Sequence, residues 1–263
     1  MRIFVLSTIL AFSLGGCSFG GGKAPDSAQE EDHSRYNLVQ FSPENPYVTL
    51  TPTQDARNIN VETSQFGYLD SVEVEMTYFS KTVQQGVFDR IDLKNGVGEK
   101  QIFLGSCSES TGVRRCYFHE GVEKGVVNAT YDDGEEKKKR ISSEFHLQEL
   151  TKANGEFEST DGKASVTVEP TLGILSVITL PVTGLPGVLP DGKTVEGTPY
   201  AFLPSREVQV RGIVRLDAGS DASSVTIYRW DAAKASWEAL ETTVNGFIVT
   251  SPTTELGLFA VGR

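Results

Sequence analysis

Basic residues are the minority charge in this chain: 24 lysines and arginines stand against 35 aspartates and glutamates, a formal net charge of −11 over 263 residues. With no long basic block, a surface built to displace counterions from DNA or RNA is a poor reading, and nucleic acid is not an expected partner. Histidine is scarce as well. His33, His119 and His146 are isolated, with no H-E-x-x-H and no pair at ligand spacing, so the local signature of a zinc hydrolase is missing. Gly20-Gly21-Gly22 neither follows a strand nor opens a helix, which removes the context of a phosphate cradle, and no G-x-S-x-G surrounds a serine. The expectation is a protein that is not an enzyme, with no catalytic residue, no metal ligand and no cofactor.

Long apolar runs are also missing, with one short exception at the start. Arg2 precedes the mostly apolar stretch 3–14, and the small residues Gly15 and Gly16 follow it. Twelve helical residues reach about 18 Å, short of the roughly 30 Å hydrocarbon core, so the stretch reads as an export signal and not as a spanning anchor. Leu14-Gly15-Gly16-Cys17 resembles the lipobox of bacterial lipoprotein precursors. That resemblance implies cleavage after residue 16, acylation of Cys17 and attachment to membrane lipid through it. It places the protein in a bacterial cell envelope, and Ser18 after the cysteine resembles an outer-membrane sorting signal where the host has two membranes. From 17 to 35 the chain carries three consecutive glycines, a proline and an acidic cluster. Such text buries too little apolar area to offset the entropy of ordering it, and it reads as a flexible tether.

Beyond residue 36 no apolar stripe of helical period runs for ten residues, and the dominant period is two. Val72, Val74, Met76 and Tyr78 alternate with Glu73, Glu75 and Thr77, which gives a strand with one wet face. Strands are expected at 47–50, 87–93, 101–104, 113–119, 125–131 and 141–147, whereas Ile59-Asn60-Val61 is too short to carry weight. The polar, glycine-containing stretch 150–162 divides the chain. After it, strands are expected at 164–168, 175–180, 198–202, 207–216, 225–230, 237–240, 247–250 and 256–261. Between the second and third of these, 180–197 holds three prolines and four glycines and reads as an ordered loop or a poorly paired edge. Asp132, Asp133, Glu135 and Glu136 around Gly134, followed by the basic 137–140, read as a solvated hairpin end. The fold class is therefore all-β: a signal at 1–16, a tether at 17–35, and two β-sandwich-like domains at 36–150 and 155–263.

Asp161-Gly162, Val166-Thr167-Val168, Gly197-Thr198-Pro199-Tyr200-Ala201-Phe202-Leu203-Pro204-Ser205, the hairpin Val225 to Leu240 with both tryptophans, and Gly257-Leu258-Phe259-Ala260-Val261 together resemble the β-sandwich module of ankyrins, netrin receptors and bacterial envelope proteins. The resemblance implies a structural module with protein contacts and no catalytic residues to carry over. Residues 36–150 resemble an immunoglobulin-like sandwich in length and strand count alone. Tyr228, Trp230 and Trp237 are the candidate binding residues for a glycan or surface polymer: rings laid coplanar in an open groove would bind, whereas rings turned between sheets would pack.

Only Cys107 and Cys116 remain once Cys17 is set aside. Eight residues separate them, wider than a C-x-x-C redox pair, and in an oxidising compartment a structural disulfide is expected, with Gly112 turning the chain. The functional expectation is a lipid-anchored envelope protein with a structural or protein-interaction role, or alternatively a module that binds carbohydrate.

Overall fold

The computed structural model describes residues 35–81, 83–169, 173, 175–219 and 224–263, all within one compact unit. The signal, Cys17 and the tether up to residue 34 lie outside the described residues. The fold is all-β. Its first region contains β1 (Asn37–Leu38), β2 (Tyr47–Pro52), β3 (Asn58–Ser64), β4 (Ser71–Ser80), β5 (Val83–Asp92), β6 (Gly98–Phe103), β7 (Gly105–Ser110), β8 (Val113–Phe118), β9 (Val122–Tyr131) and β10 (Lys139–Glu149). The second contains β11 (Glu156–Glu158), β12 (Ala164–Val168), β13 (Ser176–Pro181), β14 (Val195–Pro204), β15 (Gln209–Asp217), β16 (Thr226–Asp231), β17 (Ser236–Ala239), β18 (Thr243–Asn245), β19 (Ile248–Glu255) and β20 (Leu258–Gly262).

One sheet runs through both regions. Its order is β17-β16-β20-β14-β13-β10-β9-β4-β5, and β1 adds in parallel to the first two residues of β10. The joint between the regions is the antiparallel pair β10–β13, with His146 opposite Thr179 and Leu147 opposite Ile178. The stretch 150–162 is turn-rich and leads from β10 of this sheet through β11 to β12 of a separate five-stranded sheet. Two hydrophobic cores pack against the long sheet. The first gathers Val48, Leu50, Ile59, Val61 and Ile102 of the small sheet β2-β3-β6 against Val74, Met76, Val127 and Phe145. The second gathers Val166, Val214, Leu216 and Val249 of the sheet β11-β12-β15-β19-β18 against Phe202, Ile227 and Phe259.

Three central strands belong to both cores. On β13, Ile178 and Leu180 enter the first core and Val177 the second; on β14, Ala201 enters the first and Tyr200 and Phe202 the second. Leu258 and Phe259 divide in the same way on β20. Because successive side chains leave a strand on opposite sides, the two small sheets cover opposite faces of the long one. This explains why β13 and β20 show no polar alternation, since a strand buried on both faces has no wet side; even the polar Ser176 and Thr179 of β13 are buried.

β3 has the opposite history. The short motif Ile59-Asn60-Val61 grows into a seven-residue strand at the centre of its sheet, with Ile59, Val61 and Thr63 all buried. The inward residue that ends the apolar period is Thr63, whose hydroxyl donates to the Gly98 carbonyl at 3.0 Å. A buried polar side chain with its partner in place continues the strand while hiding it from a hydropathy reading. The proline-rich stretch forms an ordered loop pinned at Val182, Leu185 and Leu189, all buried. At Gly184 a Cβ would stand 1.9 Å from the Asn45 carbonyl oxygen, so only glycine lets the loop lie this close to the first region.

Candidate functional site

β7 and β8 form a two-stranded ribbon of their own, outside the three larger sheets. Thr111 and Gly112 both have positive φ, 52° and 76°, which makes a two-residue turn of the mirror-image type that matches strand twist. The closing pair Ser110–Val113 is hydrogen-bonded in such a turn, and alternation along the ladder then makes Cys107–Cys116 a non-hydrogen-bonded pair, where facing Cα atoms come closest. Their Cα atoms are 4.0 Å apart and the sulfurs are at bonding distance, 2.10 Å. The ribbon is covalently stapled at its waist, and its Cα spacing falls just under the usual 4.4 to 6.8 Å.

Almost nothing else covers it. Every residue of β8 is exposed, as is every residue of β7 except Gly105, which is half-buried. Tyr117 is 65% exposed, Val113 55% and Phe118 42%. One face of the ribbon carries Val113, Arg115 and Tyr117 opposite Ser110, Ser108 and Ser106; the other carries the disulfide, with Glu109 opposite Arg114.

The base of the ribbon is held by His119. Its Nδ1 lies 3.1 Å from the Tyr78 hydroxyl and its Nε2 3.0 Å from Ser106 Oγ, so one imidazole ties the start of β7 to the buried end of β4. The Arg57 guanidinium sits over the Phe118 ring at 4.3 Å. Beside this base opens a cavity of ≈ 590 Å³ lined by Phe118, His119, Glu123, His146, Gln148 and others. Several of its charged groups are matched within the protein: Lys81 meets Glu120 at 3.1 Å and Lys152 meets Glu149 at 2.9 Å. The His146 Nδ1–H donates to the Glu158 carbonyl, 2.8 Å away, since a carbonyl only accepts. Burial lowers the His146 pKa, against the opposing pull of the Glu158 carbonyl.

Cys107 and Cys116 are thus brought together, and Cys17 lies outside the described residues. The three aromatic residues of the second region do meet, but not as a groove. Trp230 and Trp237 face each other across β16–β17 with centroids 5.4 Å apart and planes at 65°. The Trp237 indole N–H donates to the Gly187 carbonyl at 2.9 Å, the Trp230 ring lies against Gly187, and Tyr228 is buried with Leu189 and Ala260. The rings are edge to face and clamp the proline-rich loop onto the sheet; this is the packing arrangement, and no coplanar platform is formed.

Between them, Arg229 is buried and holds two half-exposed carboxylates, Glu238 at 2.7 Å and Glu255. Burial alone would lower its pKa, and the two carboxylates more than reverse that. Nothing in the sequence separated Arg229 from other surface arginines. A residue between Tyr228 and Trp230 on an alternating strand was nevertheless bound to point opposite to both. Nor did sequence reading find the Tyr78–His119–Ser106 chain, which joins residues 41 and 13 positions apart. Among the described residues no group of three or more histidines, cysteines, aspartates or glutamates is arranged to hold a metal ion. Compared with known proteins, the chain matches no family model, no curated protein and no solved structure.

Proposed function

We propose that this chain is a bacterial envelope lipoprotein, acylated at Cys17, with a protein-interaction role carried by its exposed ribbon. The observation that carries the interaction role is the ribbon β7–β8: Val113 and Tyr117 on one face, and Phe118 on the other, are kept exposed on a covalently braced arm. Monomeric surfaces carry single exposed apolar residues without consequence, but a braced arm that presents several together is a surface held ready for contact. The leader ending in Leu14-Gly15-Gly16-Cys17 supports the anchor. The resemblance of residues 155–263 to a structural β-sandwich module agrees with a scaffold that holds the arm in place. This reading assigns no catalytic residue and no cofactor, and its membrane partner is lipid, reached through the acylated cysteine.

Anchoring is tested by feeding cells radiolabelled palmitate and following the chain through fractionation. The wild type is expected to take up label and sediment with membranes, while Cys17→Ser remains unlabelled with its leader uncleaved by the lipoprotein pathway. Label retained in Cys17→Ser would overturn the anchor.

A further inference from the structure

The ribbon stands at the far end of the long sheet from the point where the chain enters it. The described chain begins beside β1, which pairs with Lys139 and Arg140 of β10, and Tyr36 stacks on the Arg140 guanidinium at 3.7 Å. Lys139 faces Tyr131, the last residue of β9. β8 ends at Phe118, just before β9 begins at Val122. The ten residues of β9 therefore separate the two, a span of about 30 Å at 3.3 Å per residue.

Both outer edges of the ribbon are unpaired among the described strands. In this hairpin register Arg114 and Cys116 belong to non-hydrogen-bonded pairs, so their N–H and C=O groups point away from β7, toward the open side of β8. The staple and the two-residue turn hold that edge straight without a core beneath it, which an isolated hairpin in water seldom manages. The ribbon's charge also departs from that of the whole. Glu109, Arg114 and Arg115 leave it net positive on a chain of net charge −11, and among the described residues neither arginine forms an ion pair. Arg115 stands between Val113 and Tyr117 on the same face.

We infer that the open edge of β8 takes an extended acidic segment of a partner protein as an added strand. The partner's backbone pairs with Arg114 and Cys116, a carboxylate meets Arg115, and apolar side chains two residues to either side meet Val113 and Tyr117. Backbone pairing supplies the attraction common to any strand, and the alternate side chains supply the choice. This deepens the interaction role proposed above and is independent of the anchor, because it concerns the folded chain whether acylated or not.

The test is amide hydrogen exchange at Arg114 and Cys116 in the purified full chain. Two probes of about eight residues are compared at equal millimolar concentration, one carrying valine, glutamate and valine at successive alternate positions with threonines between them, and one with lysine in place of the glutamate. The glutamate peptide is expected to slow exchange at both amides by about tenfold and the lysine peptide by less than about twofold. Arg115→Glu, an exposed change that leaves the fold intact, should reverse that preference. Equal slowing by both peptides, or by neither, would overturn the inference. So would slowing in the peptide-free protein that grows with its concentration, which would make a second copy the occupant.

Discussion

The ribbon β7–β8 and the strands β13, β14 and β20 are the two extremes of this molecule. The central strands are buried on both faces and are held by side chains from two cores, so burial accounts for their stability and no covalent link is needed. The ribbon buries almost nothing and is held by a turn, a disulfide and one histidine at its base. One part is fixed because water is excluded; the other is fixed although water surrounds it. A surface that must stay apolar and exposed cannot be stabilised by packing, and local bracing is the remaining means.

The largest effects should come from the shared strands. Ile178 and Val177 are neighbours in sequence that enter different cores. Ile178→Ala should cost about 2 to 5 kcal/mol, and Val177→Ala less, since it deletes fewer methyl groups. Both changes should lower the same thermal midpoint, measured by circular dichroism, because the strand that carries them belongs to both halves. A substitution that shifted only part of the melt would separate the cores.

A smaller effect is expected where Tyr200 of β14 donates to Asp161 at 2.6 Å. Burial would raise the Asp161 pKa, but the hydrogen bonds from Tyr200 and Ser159 outweigh it and leave the pKa lowered. A carboxyl whose folded pKa is depressed adds stability above its unfolded value, about 3.9, and loses it as pH falls through the folded value. Tyr200→Phe should therefore cost about 1 to 2 kcal/mol at neutral pH and should flatten the loss of stability below about pH 4. Urea titrations at pH 3 and pH 7 measure both.

How much of this could be read from the chain follows the same division. β4 was legible because one of its faces is wet, and its alternation survives in the structure without a shift. β13 and β20 were legible as strands but not as shared ones, because a run without polar alternation does not say how many layers cover it. β7, Gly-Ser-Cys-Ser-Glu-Ser, has no apolar residue to show a period and exists as a strand through its pairing with β8. The cysteine pair was legible from spacing and the turn glycine. The His119 contacts were not, since they depend on which strands become neighbours. Trp230 and Trp237 were found as a pair, and only the loop laid over them decides between groove and clamp.

The smallest change in global stability should come from the ribbon. Replacing both Cys107 and Cys116 with serine frees a short loop, for which disulfide removal commonly costs about 2 to 4 kcal/mol. Here the reduced ribbon can fray while the sheets stay folded, which caps the global cost at the ribbon's own small stability, less than about 1 kcal/mol. Amide exchange within 105–118 should rise sharply while that of β13 stays unchanged. A fall in the global midpoint as large as that of Ile178→Ala would mean that the ribbon supports the cores.

Calorimetry of the intact chain addresses the shared sheet most directly. With β13, β14 and β20 in both cores, residues 35–263 should unfold in one transition whose calorimetric and van't Hoff enthalpies agree. Two resolved transitions, one of them retained by a fragment spanning 151–263, would contradict it: the halves would then be independent domains that touch along β10 and β13.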